Sequence, residues 1–189
     1  MAAGASSRMG GRDKLMEDVS GQPLLRDRAL MCLASKADAV RVVLSPNHPA
    51  RRAALDGLNV ETVETADPAL GLSHSLQTGA AELSGDLMVV LADLPDLTAA
   101  DLDHVMAESA RSHSAIVRGA TEDGASGHPV LIKSHATHLI AGLSGDAGLK
   151  FGHTGPHETA LVKIDAQRAR TDLDTPADWA RWRAGRSTS

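Results

Sequence analysis

Leu87-Met88-Val89-Val90-Leu91-Ala92-Asp93-Leu94-Pro95-Asp96 is an apolar run that ends in a carboxylate. Residues 87–91 are apolar without alternation, which reads as a strand covered on both faces, as in the interior of a sheet flanked by helices. Asp93 then stands just past the strand, and open α/β sheets bind their ligands beyond the carboxyl ends of the strands.

The rest of the chain supports that architecture. Short β-branched runs at 40–44, 60–63, 115–117, 130–132 and 161–164 read as further strands. Helix-period segments lie between them. In residues 98–112, Thr98 and Asp101 have the spacing of a capping box, and Leu102, Val105, Met106 and Ser109 share one helical face. Another helix starts at Thr175-Pro176, with Pro at the first helical position and Asp178 in the first turn. The expected fold is α/β: a Rossmann-like open, mostly parallel sheet with helices on both faces, formed by residues 1–189 as a single domain.

Ala2-Ala3-Gly4-Ala5-Ser6-Ser7-Arg8-Met9-Gly10-Gly11-Arg12-Asp13-Lys14 suits a phosphate. Small residues let backbone N–H groups approach an anion, and Arg8 and Lys14 neutralise charge that amide dipoles cannot. There is no G-x-x-x-x-G-K-[ST] and no G-x-G-x-x-G here, so neither a Walker loop nor a dinucleotide fingerprint is present. A nucleoside triphosphate is the simplest ligand; a flexible chain start is the competing reading. Such a loop should leave a central strand, yet only Met1 precedes Ala2, so the first strand reads as truncated. Either the translation start is set too late or a central strand has been lost. The first is favoured, since loss of a two-sided strand would expose several apolar side chains at ~1.5–3 kcal/mol each.

Composition narrows the class. The chain has 189 residues, 42% of them apolar, with no run near the ~20 residues of a membrane span. The start lacks the order of a signal peptide, and Cys32 is the single cysteine, so the cytoplasm is the expected compartment and a disulfide framework is excluded. A net charge of −5, no Tyr and one Phe argue against nucleic acid as a partner.

Asp93 is well positioned to hold a magnesium ion carried by a triphosphate, which needs one or two protein carboxylates; its alternative is to cap the following turn, a role that Asp96 fills equally well. Asp172-Leu173-Asp174-Thr175-Pro176 would put Asp172 and Asp174 on one face, for a metal or for starting the last helix. Gly71-Leu72-Ser73-His74-Ser75 offers free N–H groups and hydroxyls at a helix start, or a plain N-cap. His135 with His138, and His153 with His157, lack a third ligand for zinc. No Ser-His-Asp or Cys-His set stands out, which fits a reaction run by positioning and charge neutralisation.

Taken in order, the N-terminal loop with Lys14, Gly71-x-x-x-Ser75-Leu76-x-x-Gly79, Ala92-Asp93-Leu94-Pro95, Gly127-His128-Pro129-Val130, Gly145-Asp146-x-Gly148 and Asp172-Leu173-Asp174-Thr175-Pro176 resemble the MobA-like nucleotidyltransferases. The similarity covers nearly the whole chain and is greatest to the molybdenum cofactor cytidylyltransferase branch. It implies transfer of CMP from CTP to the phosphate of the molybdopterin-molybdenum cofactor, with Mg2+ and release of pyrophosphate, and delivery to a molybdenum hydroxylase or its maturation chaperone. Residue by residue, it implies that Ala2, Ala3, Gly4, Arg8 and Lys14 bind the triphosphate and that Gly71 and Ser75 bind base and ribose. Asp93 and Asp174 would hold the metal, while a Gly127-His128-Pro129 turn, Gly145 and Asp146 would face the acceptor. Arg8, Lys14 and Asp93 would carry catalysis. Leu149-Lys150 follows where the family commonly has Ala-Arg, and a lysine cannot bind a phosphate bidentately.

Arg8-Met9-Gly10-Gly11-Arg12-Asp13-Lys14 is also similar to the guanylyltransferase branch, which makes GTP the alternative donor. That branch usually begins Leu-Ala-Gly-Gly and lacks the Gly-His-Pro and Gly-Asp-x-Gly pieces. A sugar or isoprenoid phosphate acceptor, or a nucleotide-binding protein without turnover, are the remaining readings.

Overall fold

In a computed structural model that describes residues 1–4, 6–67, 70–145 and 159–186, strands and helices alternate as the sequence leads one to expect. After the N-terminal loop, β1 (Asp18–Val19) and β2 (Gln22–Pro23) form a small hairpin that feeds α1 (Leu24–Leu33). There follow β3 (Arg41–Leu44), α2 (Pro49–Ala53), β4 (Glu61–Glu64), α3 (Leu72–Ala80), β5 (Leu87–Val89) and α4 (Ala99–Arg111). The described order closes with β6 (Ile116–Ala120), β7 (Ser126–Ile132), β8 (Thr159–Lys163) and α5 (Pro176–Arg186).

β3 and β4 pair in parallel, and β5, β7, β6 and β8 form a second ladder in that order. Met1 and Ala2 join the two. Ala2 N–H donates to the Val43 carbonyl at 2.9 Å, the Met1 ammonium to the Val90 carbonyl at 2.8 Å, and Ala92 N–H to the Met1 carbonyl at 3.2 Å. Those bonds lie along the edge of the 87–91 run that faces away from β7, and the ladder between β5 and β7 ends at Val89.

β6 and β8 are parallel, whereas β7 runs antiparallel to both β5 and β6. The reason is local: β6 and β7 are joined by a tight turn in which Thr121 N–H donates to the Ala125 carbonyl, and a parallel return needs a crossover of a dozen or more residues. Gly127-His128-Pro129, expected as a turn, lies inside β7. Close packing explains it. A Cβ on Gly127 would meet the Ala169 carbonyl oxygen at 2.3 Å, and His128 N–H donates to that same oxygen at 2.9 Å.

Helices cover both faces. Leu102 and Val105 of α4 pack with Val117 and Leu131 on one side, and Leu76 of α3 packs with Ile116, Val130 and Ile132 on the other. The Thr98/Asp101 capping box is formed, and Thr175 and Asp178 make the same reciprocal bonds at the start of α5, which buries Trp179.

Candidate nucleotide and metal site

The N-terminal loop is shaped from beneath by Arg51, whose side chain is fully buried. Its guanidinium donates to the Ala2 carbonyl at 2.5 Å, the Gly4 carbonyl at 2.8 Å, Ser6 Oγ at 3.3 Å and both oxygens of Asp13 at 2.7 and 2.8 Å. With its carbonyls turned inward to Arg51, the loop can present N–H groups outward. Burial alone would raise the Asp13 carboxyl, but Arg51 outweighs it and holds Asp13 below the usual carboxylate range. Gly10 at φ +62° and Gly11 at φ +88° take left-handed conformations that side chains resist, and this turns the chain back toward Lys14. Sequence reading missed Arg51; an arginine just after His48-Pro49 carries no local signature of its partners.

Asp93 follows β5, and Asp174 precedes α5. Leu173 N–H donates to the Asp93 carbonyl at 3.2 Å, which sets the two acidic segments side by side. Lys14 Nζ sits between them, 2.6 Å from Asp93 Oδ2 and 2.6 Å from Asp174 Oδ1, and Arg8 Nη1 is 2.7 Å from Asp174 Oδ2. Burial pulls the Lys14 ammonium pKa down, yet the two carboxylates more than offset it and hold the group above its ordinary value. The structure therefore gathers Arg8, Lys14, Asp93 and Asp174 into one cluster beyond the strand ends. Asp172 is near as well: burial, with Asp174 and Asp93 adding repulsion, pushes its carboxyl up.

Asp93 Oδ1 is buried and has no hydrogen-bond partner among the described residues. A carboxylate oxygen left open beside a second carboxylate is donor chemistry that fits a hard divalent cation. Arg28, buried in α1, fixes the turn after Asp93 by donating to the carbonyls of Leu94 at 3.2 Å and Leu97 at 2.5 Å. Asp96 accepts from Trp182 Nε1 at 2.8 Å and so ties that turn to α5.

Gly71, at φ +89°, leads into α3. Ser73 donates to the Gly145 carbonyl through its N–H at 3.2 Å and its Oγ at 2.7 Å, which joins two of the expected binding segments. Ser75 lies on the buried side of α3, 4% exposed. Asp146, like Lys150, His153 and His157, falls outside the described residues. In β7 the His128 Nδ1 lies 3.3 Å from the Val89 carbonyl, and Arg118 Nε donates to the Gly127 carbonyl at 3.3 Å. Burial pushes the His128 imidazole down to about 4, with the Arg118 charge adding, so it is neutral at physiological pH.

A family model described as the MobA-like NTP transferase domain matches residues 1–155. The chain is 30% identical over 143 residues to the bifunctional protein GlmU of Maricaulis maris, a match covering 74% of this chain and 31% of that protein. It is 30% identical over 199 residues to a probable molybdenum cofactor guanylyltransferase of Natronomonas pharaonis, covering 97% and 94% of the two chains. It is also 25% identical over 183 residues to a nicotine blue oxidoreductase of Paenarthrobacter nicotinovorans, covering 93% and 90%. Among solved structures, the Mycobacterium tuberculosis H37Rv protein Rv0371C in complex with manganese superposes with a TM-score of 0.76 at 24% identity, covering 95% of this chain and 93% of that one.

Proposed function

The chain belongs to the MobA-like NTP transferase family, and from that premise we propose that it moves CMP from CTP to the terminal phosphate of a molybdopterin-molybdenum acceptor. An acceptor phosphate oxygen bonds to the α-phosphorus, the bond to the β-phosphate oxygen breaks, and pyrophosphate leaves. The observation that carries the reading is the cluster at the strand ends: Lys14 within 2.6 Å of both Asp93 and Asp174, Arg8 on Asp174, and the small-residue loop alongside.

Asp93 and Asp174 would hold the divalent cation, Mg2+, with the open Asp93 Oδ1 as the first donor. When bound, the cation supplies charge neutralisation at the phosphates. Ala2, Ala3 and Gly4 are assigned to the triphosphate, with the N–H groups of Ala3 and Gly4 turned to phosphate oxygens while the Ala2 N–H stays on the Val43 carbonyl. Lys14 anchors the two carboxylates and adds positive charge beside the triphosphate, and Arg8, with a side chain 71% exposed, is free to reach the departing pyrophosphate. Gly71 and Ser75 are assigned to base and ribose. Gly127, His128, Pro129, Gly145 and Asp146 are assigned to the acceptor, where the neutral imidazole of His128, with Nδ1–H on the Val89 carbonyl, has Nε2 left to accept a hydrogen bond. An acceptor phosphate already ionised at neutral pH needs no strong base, so alignment and electrostatics carry the reaction. Delivery of the product to a molybdenum hydroxylase or its maturation chaperone completes the proposal.

A second reading, with GTP as donor, is favoured by the relative named as a molybdenum cofactor guanylyltransferase. Pyrophosphate release with Mg2+ and the molybdopterin-molybdenum acceptor, compared for CTP, GTP and ATP, tests both. Turnover with CTP supports the cytidylyl reading and turnover with GTP replaces it. Silence with all three nucleotides overturns this acceptor.

A further inference from the structure

Lys14 stands where the two carboxylates would share an ion. Its Nζ is 2.6 Å from Asp93 Oδ2 and 2.6 Å from Asp174 Oδ1, with only 14% of the side chain exposed. A Mg2+ bridging those oxygens must come closer still, to about 2.0–2.1 Å from each, so the ion and the ammonium exclude one another. Asp174 has no second oxygen to offer in exchange. Arg8 Nη1 holds its Oδ2 at 2.7 Å from the solvent side, whereas Lys14 Nζ touches both acids. Of these four carboxylate oxygens, Asp93 Oδ1 alone is without a hydrogen-bond partner among the described residues. A single protein oxygen holds Mg2+ weakly, and the ion usually adds substrate phosphates to its carboxylates.

Charge leads to the same exclusion. Asp93 and Asp174 carry two negative charges, and Lys14 and Arg8 two positive ones. A divalent ion added to that balanced, partly buried group leaves positive charge in excess at short range. A triphosphate reverses the balance, since it brings more negative charge than the ion brings positive.

The lysine is also rooted in the right place to change partners. Its backbone N–H donates to Ser6 Oγ at 3.2 Å, and that hydroxyl accepts from the buried Arg51 at 3.3 Å, so the base of the side chain is fixed to the loop assigned to the triphosphate. From there a flexible four-carbon stem can turn its ammonium from the carboxylates to a phosphate while the backbone stays in place.

We propose that Lys14 is a place-holder for the divalent cation: its ammonium keeps a lone ion from the Asp93 and Asp174 pair, and a triphosphate on the loop draws it away, so that ion and nucleotide bind as a coupled pair. The coupling is reciprocal, each ligand tightening the other. The inference rests on the assignment of the ion to Asp93 and Asp174, and it is the same for CTP and GTP.

The test titrates Mn2+ into the full chain at neutral pH and reads the free ion by electron paramagnetic resonance. The unaltered protein, Lys14→Met and Lys14→Gln are each measured alone and with CTP or GTP analogues that carry a methylene bridge between the α- and β-phosphorus. Mn2+ alone is expected to bind Lys14→Met roughly tenfold or more tightly than it binds the unaltered protein. Lys14→Gln, which can still hydrogen-bond the carboxylates, should change in the same direction and guards against a folding defect in the first variant. An analogue should tighten Mn2+ on the unaltered protein by roughly tenfold or more, beyond its own affinity for the ion in solution, and on Lys14→Met by less. Equal Mn2+ affinities in all three proteins, or weaker binding to the variants, would overturn the place-holder. Asp93→Asn or Asp174→Asn, added to Lys14→Met, should abolish its gain; a gain that survives both would overturn the ion assignment beneath the inference. Tightening by the GTP analogue alone would replace the cytidylyl reading and still support the place-holder.

Discussion

Arg51 grips Asp13 with two parallel hydrogen bonds, Nε to Oδ2 at 2.7 Å and Nη2 to Oδ1 at 2.8 Å, from a side chain with no solvent exposure. The same guanidinium holds the Ala2 and Gly4 carbonyls, so the phosphate loop has a charged internal strut.

Arg51→Ala should therefore cost about 3–5 kcal/mol, the range for breaking a buried ion pair and stranding its partner. Arg51→Lys keeps the charge but loses the fork, and is expected to raise KM for the nucleoside triphosphate by roughly tenfold with a smaller loss of stability. Urea melts and steady-state kinetics on the two variants check this. An Arg51→Lys protein with unchanged KM would show that the loop keeps its shape without the fork.

Asp93→Asn removes the negative charge beside an open, buried oxygen while keeping the shape. Turnover is expected to fall by roughly 100-fold or more, with the fold intact by circular dichroism. Retention of half the activity would take Asp93 out of the metal site. Chelation of divalent cations should silence the unaltered protein, and adding Mg2+ or Mn2+ back should restore it.

Arg8→Ala separates binding from stability. The Arg8–Asp174 pair is exposed on the arginine side, so its loss should change the thermal midpoint little, by at most ~1 kcal/mol of stability. Pyrophosphate release is expected to drop by roughly tenfold or more. Lys14→Ala should act differently, because it leaves Asp93 and Asp174 facing each other without the cation between them, and both stability and activity should fall.

His128 gives the protein a pH dependence of defined sign. Its pKa is about 4 when folded against an ordinary 6.5, so the unfolded chain takes up the proton first. Stability is fully present above about pH 6.5, declines as the pH falls toward 4, and loses nothing further from this residue below that. His128→Asn should flatten that part of the curve. Denaturant midpoints between pH 4 and 7 measure it, and an unchanged slope would mean that His128 is readily protonated in place.

Residues 98–112 show how much of this protein was readable along the chain. The Thr98 and Asp101 caps and the apolar face of Leu102 and Val105 are local patterns, decided within a few residues, and they reappear as α4. Strand positions, the Thr175-Pro176 helix start and the small-residue loop were legible for the same reason. So was the placing of Asp93 beyond an apolar strand, which depends only on the end of that run.

What the chain order left open were relations between residues far apart in it. Arg51 with Asp13, Lys14 with Asp174, and Ser73 with the Gly145 carbonyl are such pairs, and side-chain reach across a folded sheet has no signature in sequence spacing. The antiparallel course of β7, which draws Gly127-His128-Pro129 into a strand, depended on a short turn and on the close approach of Ala169. The sequence by itself thus determined the elements, the family motifs and the charge types at the strand ends, because periodicity and capping are local. Only the tertiary structure decided which of those charges meet and what supports the loop, because such contacts belong to the packed chain.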